Sequence, residues 1–172
     1  MKNTYILSIL LLVFGSVAHS QIKGTILMDS LALPGAEFEL LLTGTHVMSD
    51  FDGEFTLPIK SEIKRDDLLI TYVDLKVIIK NIDLSTGELN MGQIHMPFFK
   101  SIEIEEYEKL SKLDKENCIG IYCWGNLLGY YDEAQLENNS LTLNCNQAIV
   151  DYTYDSKVKT ITIDWSVIKN CN

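Results

Sequence analysis

Apolar and polar residues alternate in short runs along most of this chain, and turn-forming residues separate the runs. Residues 22–28 (IKGTILM) set Ile22, Gly24 and Ile26 against Lys23, Thr25 and Leu27, the two-residue period of a strand. Residues 37–43 place Phe38, Leu40 and Leu42 on one side and Glu37, Glu39 and Leu41 on the other. After Gly44-Thr45, His46-Val47-Met48 reads as a short strand. Residues 54–58 return after the turn Ser49-Asp50-Phe51-Asp52-Gly53, so Val47 and Phe55 are expected to share a hairpin. Residues 68–73 (LLITYV) are apolar on both faces, as in a central strand. Residues 76–82 alternate loosely, and residues 93–98 close the series. Turn signals recur roughly every 8–12 residues without a long amphipathic helix, which predicts a β-sandwich.

Beyond residue 97 the pattern changes. Residues 105–115 read as a charged helix with Tyr107, Leu110 and Leu113 at spacing three, and residues 118–124 as a strand. Asp132 is placed to N-cap a short helix, with Gln135 at the reciprocal capping-box position. Residues 141–144, 148–154 and 158–165 read as strands; the last sets Ile161, Ile163 and Trp165 on one face. The expected organisation is a leader over 1–20, a sandwich over 21–98, a largely helical connector over 99–116, and a cysteine- and aromatic-rich β region over 117–172.

The leader rests on Lys2, the apolar run of residues 5–17, and Ala18-His19-Ser20, which puts small residues at the −3 and −1 positions of a cleavage before Gln21. The run is short of the roughly 20 residues that a membrane-spanning helix needs. The expectation is an exported chain, periplasmic, surface-bound or secreted, with no membrane span once the leader is removed. The net charge of −10 becomes one unit more negative when Lys2 is lost. Such acidity argues against nucleic acids and anionic membrane surfaces, both of which require clustered Lys and Arg.

Within residues 21–97, an ordered set of residues carries a resemblance: Gly24, Leu33-Pro34-Gly35-Ala36, Gly44-Thr45, Ser49-Asp50, Asp52-Gly53 and Phe55, then Leu69-Ile70-Thr71-Tyr72-Val73. Together they resemble the carboxypeptidase-regulatory-like domain, which implies a transthyretin-like Greek-key β-sandwich common in exported bacterial envelope proteins. The chain departs from it in a shorter hairpin around His46-Val47-Met48 and in Asp74, where the family has Gly. The resemblance implies no catalytic residues.

Cys118, Cys123, Cys145 and Cys171 all lie in the last third. An even count in an exported chain suggests two disulfides, for which three connectivities exist. If residues 118–123 are extended they span about 16 Å at ~3.3 Å per residue, too far for a direct bridge. Pairing of Cys118 and Cys123 with Cys145 and Cys171 is then expected; a turn at Gly120 is the alternative.

Signals for catalysis are sparse. Asp50-Phe51-Asp52-Gly53 suggests a calcium loop, but the EF-hand positions for Gly and Glu hold Phe55 and Ser61, so ordinary turn chemistry is the simpler reading. His46 and His95 lack neighbouring ligands, and no nucleophile motif occurs. The aromatics are concentrated late, where the simpler reading is the core and rim of a β domain. Exposed on one face they would form a binding platform, with Trp124, Tyr130 and Tyr131 the candidate binding residues and Tyr130-Tyr131, after Gly129, the candidates for exposure. The expected function is a non-catalytic binding or scaffold module of a bacterial cell envelope that recognises a protein or a glycan, without cofactor or metal. The alternative is a small hydrolase or metal-dependent enzyme with its site in residues 101–172.

Overall fold

The computed structural model describes residues 20–60, 62–137, 141–143, 148–150 and 152–168; residues 1–19 of the expected leader, Cys145 and Cys171 fall outside these. In chain order the first strands are β1 (Gln21–Met28), β2 (Leu31–Ala32), β3 (Glu37–Leu40), β4 (Thr45–Met48) and β5 (Glu54–Pro58). There follow β6 (Arg65–Tyr72), β7 (Leu75–Asp83), β8 (Glu88–Met96) and β9 (Phe98–Ile102), then two short helices, α1 (Ile104–Lys109) and α2 (Lys112–Lys115). The remaining strands are β10 (Cys118–Cys123), β11 (Asn126–Glu137), β12 (Leu141–Leu143), β13 (Ala148–Val150), β14 (Thr153–Asp155) and β15 (Thr160–Asp164), and a 3-10 turn over Trp165–Ile168 ends the described chain.

The strands form a mainly-β sandwich with a third, smaller sheet. One layer runs β13-β12-β8-β1-β2, with β5 also paired to β1; the other runs β14-β15-β7-β6-β3-β4. The third sheet is β10-β11-β9. Ile22 and Ile26 of β1, Leu89 and Ile94 of β8, Phe38 and Leu40 of β3, and Val77 and Ile79 of β7 all enter one continuous core. Ile161 and Ile163 of β15 enter the same core, and β15 lies parallel to β7 with Ile161 opposite Val77. Strands from before and after residue 98 therefore share both layers, so the expected division there does not separate two cores.

Several local expectations are corrected. The third strand ends at Leu40 because the Leu41 N–H donates to the Asp67 carbonyl and the Leu42 N–H to Asp66 Oδ1 (2.8 Å), which turns Leu42 outward to 70% exposure. Val47 and Phe55 do not share a hairpin: β4 pairs with β3 in one layer and β5 with β1 in the other. Asp132 caps no helix. It lies within β11, where its Oδ1 accepts from the Ala134 N–H (2.9 Å) inside an irregularity of the β9 pairing. The same short-range acceptor chemistry that suits an N-cap serves a bulge here. The connector breaks at Leu110, and Ser111 caps α2 by accepting from the Asp114 N–H (3.2 Å). Leu113, the last of the three apolar residues at spacing three, is exposed. The loose alternation of β7 has a cause: Asn81 takes φ +59° and donates its N–H to Asp67 Oδ1, and the added residue lets Ile79 and Ile82 both face the core.

The crossing between layers at residues 49–53 is held at both ends. Ser49 Oγ donates to the Leu33 carbonyl (2.6 Å) and accepts from the Ala36 N–H (2.9 Å). Asp50 Oδ1 accepts from the N–H groups of Asp52 (3.0 Å) and Glu54 (2.8 Å), so the Asp-rich segment spends this oxygen on its own backbone. Gly53, at φ +74°, lies so close to β1 that a Cβ on it would sit 2.5 Å from the Ile26 carbonyl oxygen. Phe55 then stacks on Phe38 across the layers, with ring centroids 3.7 Å apart.

Gly53→Ala should lower unfolding stability by roughly 2 kcal/mol or more, since it adds a backbone clash to left-handed strain. Gly44→Ala, at φ +64° with open space around it, carries the strain alone and should cost about 1 kcal/mol. Urea denaturation of the two variants measures the difference, and equal losses would contradict the close approach of Gly53 to β1.

Candidate functional site

Where the third sheet meets one end of the sandwich, a groove of about 660 Å³ opens. Its walls come from three places: the β1–β2 hairpin with the loop after it (Met28, Leu31, Leu33, Pro34), the β6–β7 turn (Tyr72, Val73, Leu75), and the facing side of the third sheet (Phe99, Ile119, Tyr131). Ile119 and Tyr131 are cross-strand partners, and Ser101 pairs with Tyr131, so one face of the sheet supplies that wall. Volume and lining suit a recessed binding site that is mostly apolar. Leu31 (72% exposed) and Val73 (79%) stand at its margin with Ile119 and Tyr131.

The rim is built from strained turns. Asp29 (φ +47°) and Ser30 (φ +65°) make the β1–β2 connection, and Val73 (φ +53°) the β6–β7 connection. Short acceptor side chains tolerate the left-handed region, whereas a β-branched residue there is disfavoured by about 1–2 kcal/mol. In the Val73-Asp74 turn the left-handed residue is Val73. Strain of this kind is concentrated at binding and catalytic positions in proteins generally.

A polar network closes one end of the groove. Lys159, itself at φ +50°, pairs with Glu133 of β11 and lies 3.5 Å from Asp74. The pair ties the third sheet to the turn ahead of β15, and the Tyr154 hydroxyl donates to the Glu133 carbonyl (2.7 Å). The Glu133 hydrogen bond raises the pKa of Lys159 above its ordinary value. Burial, followed by the charges of Glu133 and Asp132, pushes the Tyr154 phenol up to about 12.

The residues singled out from sequence separate into different places. Tyr131 lines the groove. Tyr130 faces the other side of the sheet, stacked on Tyr107 of α1 at 3.6 Å between ring centroids, with Lys115 over the Tyr107 ring. Trp124 is at the tip of the β10–β11 hairpin, 98% exposed. Residues 118–123 are extended, as the expected cysteine spacing requires. Cys118 Sγ contacts the Asp114 carbonyl (3.5 Å), and burial together with Asp132 and Asp114 raises its pKa. Cys145 and Cys171, the partners expected for Cys118 and Cys123, lie outside the described residues. His46 is on exposed β4 and His95 on β8, in opposite layers. Among the described residues no three His, Cys, Asp or Glu side chains are arranged to hold a metal ion. Leu31 and Val73 were not singled out from sequence; the available signal was a large apolar residue within or beside a two-residue turn.

The fold and groove define the class: a mainly-β sandwich carrying a small sheet that forms a recess against one end. No protein-family model and no curated protein matches the chain. Among solved structures it is similar to chains from two mutants of a type II cohesin–X–dockerin complex of Acetivibrio cellulolyticus. The C-terminal interface mutant matches at 18% identity with a TM-score of 0.37, and the N-terminal interface mutant at 17% with 0.38. In each case the likeness covers 43% of this chain and 52% of the other, about half the length of the structure it matches. Among the described residues, no helix is long and apolar enough to cross a membrane.

Stability should fall between about pH 10 and pH 12. Lys159 and Tyr154 both have folded-state pKa values above their unfolded ones, so their contribution is fully present below pH 10 and is lost as pH rises through the folded values. Thermal melts across this range should show a shallower decline for Tyr154→Phe than for the wild-type chain; parallel curves would exclude Tyr154 as a source.

Proposed function

We propose that the protein is a non-catalytic binding module exported to the cell envelope, and that the groove between the sandwich and the third sheet receives an apolar segment of a protein partner. The observation that carries this reading is the clustering of Leu31, Val73, Ile119 and Tyr131, all exposed, around one apolar recess. Exposed apolar groups gathered in one place mark interaction surfaces, whereas scattered ones do not. A polypeptide fits better than a glycan. Sugars need several free polar groups beside a flat aromatic face, and here Glu133 and Asp74 are already engaged by Lys159. Asp29 at the rim, on a chain of net charge −10, selects a segment flanked by Lys or Arg. Export rests on the leader over residues 1–20. The resemblance to the carboxypeptidase-regulatory-like domain belongs to the same reading: Gly24, Pro34, Ser49, Gly53 and Phe55 serve the corner of the sandwich, which makes them scaffold residues.

Selection of displayed random peptides on the immobilised protein should yield apolar sequences with basic flanks. Their affinity should fall more than tenfold in a Leu31→Ser, Val73→Ser variant of unchanged fold, as read by titration calorimetry. Peptides that bind this variant as tightly as the wild type, or a selection without apolar-basic character, would remove the groove as the site.

A further inference from the structure

We propose that the tip of the β10–β11 hairpin inserts into the interfacial layer of a zwitterionic lipid membrane, with Trp124 as the anchoring side chain. The tip is separate from the groove, to which β10 and β11 contribute Ile119 and Tyr131 at the base of the hairpin. The third strand of its sheet stops where Ile102 meets Tyr130, and from there β10 and β11 continue as a two-stranded ribbon to a connection of two residues. Those two residues, Trp124 (φ +51°) and Gly125 (φ +81°), are both left-handed, as the tight connection between paired Cys123 and Asn126 requires.

The first of these positions favours Asn or Asp, which tolerate the left-handed region. A tryptophan there is strained, and at 98% exposure it gains almost no contact within the chain to offset that strain. Its partner must therefore lie outside the fold. Tyr122, 67% exposed, stands close behind it, and Leu128 is exposed on the other strand.

The charge pattern selects the partner. Residues 118–131 contain no Asp, Glu, Lys or Arg, although charged residues make up 22% of the whole chain. The nearest acids, Glu116 and Asp132, are at the base of the ribbon. Exposed apolar groups occur on both strands of the ribbon, Tyr122 on β10 and Leu128 on β11, with Trp124 between them at the tip. A protein groove covers one face, whereas lipid surrounds an inserted tip. Trp and Tyr combine an apolar ring with a polar edge, the composition favoured at the level of lipid headgroups. The net charge of −10 opposes anionic headgroups, which leaves a neutral, zwitterionic surface.

The test is flotation of the protein recovered after export with vesicles of phosphatidylcholine and phosphatidylethanolamine. The wild type should float with them, largely independent of salt. Trp124→Asn creates the Asn-Gly pair that this turn prefers, so it should melt at the same or a higher temperature yet lose at least tenfold in bound fraction. Tyr122→Ser gives a second, smaller loss. Adding phosphatidylglycerol at low salt should weaken binding. A wild type that does not float, a Trp124→Asn variant that floats equally, or binding that rises with phosphatidylglycerol would each overturn the proposal; the first would leave a protein pocket as the tip's partner.

Discussion

The chain changes layers within five residues between β4 and β5, and the close approach of Gly53 to the Ile26 carbonyl is what makes so short a crossing possible. With Gly53 against β1, the Ile26 N–H reaches the Gly53 carbonyl (2.8 Å) and β5 is delivered into register beside β1. Phe55 then lands over Phe38, which joins the two layers at their centre. Ser49 holds the other side of the corner to the loop after β2, so that loop is fixed too. Leu33 and Pro34 lie in this loop, and both also line the groove. The corner thus sets both the stacking of the sheets and one wall of the candidate site.

Two different uses of strain accompany this scaffold. Gly35, Gly44, Gly53 and Gly87 take positive φ at turns where a glycine accepts it without penalty. Val73, Trp124 and Lys159 take it at positions where a side chain is disfavoured, and each of the three displays something. Val73 presents an apolar group to the groove, Trp124 stands at the hairpin tip, and Lys159 reaches across to Glu133. Local rules broken without a compensating contact inside the fold are expected at functional positions. Lys159 has its compensation in the Glu133 pair; Val73 and Trp124, both largely exposed, do not.

Much of the first half of the fold was legible because its signals are local. The alternation at Phe38 and Leu40, the apolar run LLITYV and the Gly-Asp turns place β3 and β6 to within three residues at their ends. The misreadings share a physical origin. Leu42 continues the strand period, but Asp66 claims its N–H from another strand. Asp132 and Gln135 satisfy a capping pattern, yet pairing with β10 and β9 on either side draws the segment into a long strand. Of the three candidate binding residues, Tyr131 lines the groove and Trp124 stands exposed at the hairpin tip. Tyr130 differs from Tyr131 by one residue, and that residue turns it to the opposite face and under Tyr107.

By itself the amino-acid sequence determined that this is a β protein, where most of its early strands lie, which turns need glycine, and that residues 118–131 are free of charge; each follows from interactions within a few residues. Only the tertiary structure decided that β12 to β15 complete the layers begun by the first half, because parallel pairing such as that of β15 with β7 links segments more than eighty residues apart and leaves no local period. It also decided that Leu31, Val73, Ile119 and Tyr131, drawn from four separate elements and turns, meet around one recess. Burial and strain are properties of the assembled chain, and both parts of the candidate function rest on them.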